Sequence, residues 1–68
     1  MKRPYTIHLI NKNGIEESVV NRWNRQRALM FGVIGLGMDF HHVIVKTPGG
    51  KILYERDGEN IIKDIIGG

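Results

Sequence analysis

The chain has 68 residues, no cysteine and a net charge of +3 at pH 7. That length allows one domain over residues 1–68, marginally stable alone, and the missing cysteine excludes disulfides and thiolate metal sites. The charge is uneven: Lys2, Arg3, Lys12, Arg22, Arg25 and Arg27 face only Glu16 and Glu17 in residues 1–27, and residues 28–68 hold four basic and five acidic groups.

The opening MKRP leads into YTIHLI, which is too short an apolar run for a secretory leader. Tyr5–Ile10 is rich in β-branched and aromatic residues and reads as a strand. Asn13-Gly14 is a turn signal, since both residues tolerate positive φ. Ile15–Val20 reads as the returning strand of an N-terminal hairpin.

Between Asn24 and about Gly35 the sequence predicts a helix. Asn21 or Asn24 can cap it, and Gln26, Arg27, Ala28, Leu29 and Met30 are good helix formers. Gly32 and Gly35 oppose a helix, and MFGVI also fits a buried strand, so residues 29–34 stay open between the two states. As a helix, the segment is apolar all round after Arg27. Leu29, Val33 and Leu36 share one arc, Met30, Phe31, Ile34 and Met38 the other, and Ala28, Gly32 and Gly35 form a small-residue stripe between them. A helix with no polar face needs burial all round. The expected cover is a second copy of the chain, making a homodimer or larger assembly through Ala28, Met30, Phe31, Gly32, Ile34, Gly35 and Met38. Cover from within the chain, or from a membrane surface, is the alternative. The longest uncharged run, Ala28–Met38, has eleven residues, and a spanning helix needs roughly 20. The chain therefore reads as soluble and cytoplasmic, with no membrane partner.

HHVIVKTPGGKILYERDG predicts a second hairpin, with Pro48 and Gly49 at the centre of a type II turn and Asp57-Gly58 ending it. In the tail, Ile61, Ile62, Ile65 and Ile66 fall on one helical arc with Lys63 and Asp64 opposite, which predicts a short closing helix. The expected fold is α+β: a small ββαββ domain with an antiparallel sheet, one central apolar helix and a short C-terminal helix.

The candidate chemistry is sparse. Arg22, Arg25 and Arg27 surround Trp23. Arginine forks bind phosphate and an aromatic face can stack a base, although a solvated rim with a core or interface tryptophan fits the same residues. Asp39, His41 and His42, with His8 elsewhere, do not form a metal site, because neighbouring strand residues point to opposite faces and no HExxH spacing is present. Ser18 is the lone serine, and no GxSxG accompanies it. GVIGLG lacks the lysine of a phosphate loop. No catalytic, cofactor or metal residue is assigned.

The chain closes on Gly67-Gly68. A ββαββ order with a terminal Gly-Gly resembles the ubiquitin-like sulfur carriers of thiamine and molybdopterin synthesis, which are activated at the terminal glycine carboxylate. The resemblance implies a carrier role as a remote alternative, and a helix stop with a frayed end explains the same two glycines. The preferred reading is a small non-enzymatic interaction protein that self-associates and acts as an inhibitor or adaptor of a protein partner. Such tiny basic chains are frequent among phages and mobile elements. The alternative is a nucleic-acid-binding regulator that uses Arg22, Trp23, Arg25 and Arg27.

Overall fold

In a computed structural model the chain is described over residues 3–33 and 40–64. Six elements follow one another: β1 (Tyr5–Ile10), β2 (Glu16–Arg22), α1 (Arg25–Val33), β3 (His42–Lys46), β4 (Ile52–Asp57) and β5 (Asn60–Asp64). The strands form one antiparallel sheet in the order β2-β1-β3-β4-β5, and α1 packs against β1, β2 and β3. The domain is α+β, as its sequence pattern predicts.

Alternation along the strands builds the core. Ile7 and Leu9 of β1 pair with Val45 and Val43 of β3, and all four side chains are fully buried. Ala28 and Leu29 of α1 close over them, and a bulge between Val45 and Lys46 brings both Leu53 and Tyr54 inside. Each buried aliphatic side chain contributes roughly 1.5–3 kcal/mol of burial energy.

The helix begins where the sequence predicts. The Asn24 side-chain oxygen accepts hydrogen bonds from the backbone N–H of Gln26 at 2.9 Å and Arg27 at 3.2 Å, satisfying two donors that the first turn leaves open. Residues 30–33 are helical rather than extended.

The two hairpins flanking α1 turn in the same way. Gly14 N–H donates to the Asn11 carbonyl and Gly50 N–H to the Thr47 carbonyl, each at 2.9 Å. The side-chain oxygens of Asn11 and Thr47 accept from the N–H of Ile15 at 3.1 Å and Lys51 at 3.0 Å. Positive φ falls on the fourth residue of each turn, Gly14 (81°) and Gly50 (90°). Gly49 has no positive φ, so the expected type II turn, which requires it there, is not the one used.

The tail departs from expectation. Asn60–Asp64 is strand β5, paired with β4 across the Gly58 turn, and not the start of a closing helix. The Ile61 and Ile62 pair fits a helical arc equally well, but here it lies on an edge strand with both side chains more than half exposed. The rest of the predicted helix, residues 65–68, lies outside the described residues.

Candidate functional site

The register of the sheet sets the geometry of its two ends. Tyr5 of β1 opposes Arg22 of β2, and Thr6 opposes both Asn21 of β2 and Lys46 of β3. The start of β1, the end of β2, the end of β3 and the start of β4 therefore lie together, and α1 begins at that same end directly after β2. Arg3, Trp23, Arg25, Arg27 and Lys51 are exposed there. Lys46 and Arg22 are partly covered.

Trp23 is 67% exposed, so it is not the core anchor that a tryptophan in a small domain usually is. Arg22 is held in place. Its guanidinium lies 4.5 Å from the centroid of the Phe31 ring, and its Nη1 donates to the Asn21 carbonyl at 2.7 Å. This cation–π contact partly covers Phe31.

The small-residue stripe has a different use from the one expected. Ala28 is fully buried against the chain's own sheet, and Gly32 is also buried there. Neither is open to a second copy. The physical reason is the closeness of α1 to the sheet: a Cβ on Gly32 would meet Val45 at 2.5 Å, Ile7 at 3.5 Å and Val43 at 3.7 Å. Met30 lies on the outer side and is 52% exposed. Ile34, Gly35 and Met38, which complete the expected association surface, lie outside the described residues.

Each histidine stands beside a carboxylate. His8 Nδ1 lies 2.7 Å from Glu16, His42 Nε2 lies 2.8 Å from Glu55, and His41 Nε2 lies 3.2 Å from Asp57. His8 also meets the Thr6 hydroxyl through its other nitrogen at 3.1 Å. Among the described residues no three metal-ligating side chains come together.

At the end of the sheet away from Arg22, Arg25 and Arg27, an open concavity lies between Asn11, Lys12, Phe40, His41, Arg56 and Glu59. Arg56 there donates to the carbonyls of Gly58 at 2.9 Å and Phe40 at 3.1 Å, joining the β4–β5 turn to the start of β3. Gly58 N–H donates to the His41 carbonyl and ties the same two segments together. This arrangement is a structural clasp. Sequence reading overlooked it, because nothing in the spacing of Phe40, Arg56 and Gly58 announces their contact.

No protein family, curated protein or solved structure matches the chain. Among the described residues, no helix is long and apolar enough to cross a membrane. Gly67 and Gly68, which carry the resemblance to the sulfur carriers, lie outside the described residues.

Proposed function

We propose that this chain is a small non-enzymatic interaction protein of the cytoplasm. It binds a macromolecular partner, as an inhibitor or adaptor, through the surface around Trp23. The observation that carries this reading is the exposed indole of Trp23, flanked by Arg25 and Arg27 on the first turn of α1. Tryptophan and arginine are among the side chains over-represented in binding hot spots. The test is capture of partners from the native host, with and without nuclease, by the wild-type chain and by Trp23→Ala. The reading expects a specific partner that the variant loses while its far-ultraviolet spectrum is unchanged. Equal capture by both proteins overturns it.

Self-association is the second reading, favoured by the outward position of Met30. A chain of this size is a weak scaffold alone, and a second copy would cover that residue. Light scattering at micromolar concentration tests it, and a clean monomer of 7.8 kDa rejects it.

A further inference from the structure

We infer that the end of the sheet carrying Trp23 binds single-stranded nucleic acid, with the indole stacked on a base and the surrounding cations on the phosphates. This rests on the proposal that the Trp23 surface is the contact surface, and adds the chemistry of the partner.

The fold gathers more charge at that end than the arginine cluster by itself. Arg3 precedes β1, Arg22 closes β2, Arg25 and Arg27 sit on the first helical turn, Lys46 closes β3 and Lys51 precedes β4. These six cations run from Arg3 to Lys51 in sequence and share one end of the sheet because β3 and β4 return antiparallel beside β1. Arg22, in register with Tyr5 and set over Phe31, stands on the helix face, and Lys46, in register with Thr6, on the other, so the cations ring that end of the sheet and a flexible strand can meet them from either face. The positive end of the α1 dipole adds to the field there.

Five of the described acidic residues are placed elsewhere. Glu16, Glu17, Asp57 and Glu59 lie at the opposite end of the sheet, and Glu55 is mid-sheet, opposite Ile44. The backbone of Asp64, the last residue of β5, pairs with Tyr54 on the far edge of the sheet, at its basic end. The molecule is therefore polarised along its strands, and a polyanion meets it one end first.

Trp23 decides the class. An acidic peptide satisfies the cations but gives the indole a flat partner only where it also carries an aromatic or proline side chain. A duplex offers phosphates but keeps its bases stacked. A single strand offers both, and stacking on an aromatic is tolerant of sequence. Arg22, locked over Phe31, holds its charge in place before any ligand arrives.

Trp23 is also the chain's single tryptophan, so its emission reports on contact directly. The probe is an oligothymidylate of about twelve nucleotides, within the usual site size of a small binding domain. The expected result is quenching of Trp23 emission on titration. The logarithm of affinity falls with the logarithm of salt at a slope between about −2 and −4, as for three to six neutralised phosphates. Trp23→Ala, read by anisotropy of a labelled strand, weakens binding roughly 5- to 150-fold and leaves the slope unchanged. Lys51→Glu weakens binding at least about tenfold, whereas Lys12→Glu, the same charge change in the turn at the opposite end, stays within about twofold.

The inference is overturned if the strand does not bind at low salt, if heparin binds as tightly with Trp23 emission unmoved, or if a duplex of equal length binds better. Retention of a protein partner by the wild-type chain but not by Trp23→Ala, with no oligonucleotide binding, rejects the nucleic acid and keeps the contact surface. Loss of neither rejects both.

Discussion

A Cβ atom on Gly32 would stand 2.5 Å from the Cγ2 methyl of Val45. That single distance fixes how closely α1 lies on the sheet, and it opposes the usual rule for helices. In a free helix Gly→Ala gains about 1 kcal/mol, but forcing a methyl into a packed contact costs about 1–3 kcal/mol. Gly32→Ala is therefore expected to destabilise by about 1 kcal/mol net, measured by urea unfolding. In a Val45→Ala background the methyl has room, and the same substitution becomes neutral or stabilising. A stabilising Gly32→Ala in the wild-type chain would show that the helix sits further out.

The twin turns separate two glycines that look equivalent in sequence. Gly50 has positive φ, whereas a Cβ on Gly49 meets nothing nearer than the Thr47 hydroxyl at 3.8 Å. Gly50→Ala should cost about 1–2 kcal/mol, the penalty of a left-handed alanine. Gly49→Ala should cost less than about 0.5 kcal/mol, as an ordinary surface change does. Unfolding curves of the two variants check this, and the reverse order would restore the type II turn.

Much of the frame was legible because local chemistry and tertiary structure agree. Asn24 caps where an asparagine ahead of helix formers should cap, and the β-branched runs YTIHLI and HHVIV form the strands that their composition favours. Two features failed for the same reason: the pattern named a surface without naming its partner. Ala28 and Gly32 marked a close approach, which the sequence reading assigned to a second copy and the fold gives to its own sheet. Ile61 and Ile62 fit a helical arc, yet the free edge of β4 and the left-handed Gly58 draw them into a strand. The candidate site was half visible. Arg22, Trp23, Arg25 and Arg27 fall within six residues of sequence, but Lys46 and Lys51 reach the same end of the sheet only through strand order.

The clasp at the opposite end should be worth more than a surface arginine usually is. Arg56 bonds two backbone carbonyls from different segments, and hydrogen bonds to charged groups contribute about 1.5–3 kcal/mol. Arg56→Ala is expected to cost about 2–3 kcal/mol and to increase hydrogen exchange at Gly58, whose N–H bonds His41. Arg56→Lys, which keeps the charge and loses the fork, should recover only part of that loss. Full recovery by lysine would mean that charge, not the paired carbonyl contacts, is what holds the segments.

Two of the exposed apolar features, on the helix and on the β5 edge, are candidates to be covered in an assembly, and one pair of variants separates them. Met30 lies on the outer side of α1, and Ile61 with Ile62 lies on the β5 edge, a row of unpaired backbone groups that can template pairing between chains. The edge is blunted by the bulge between Glu55 and Arg56, which disrupts the ladder and twists the strand, and by Lys63 within it. The helix side has no such protection at Met30. Met30→Lys should therefore convert an assembly to monomer in light scattering, with stability unchanged within about 0.5 kcal/mol because the side chain is outside the core. Ile62→Lys should leave the assembly intact. If Ile62→Lys disperses it and Met30→Lys does not, association runs through the sheet edge, and the helix surface is left free for a partner.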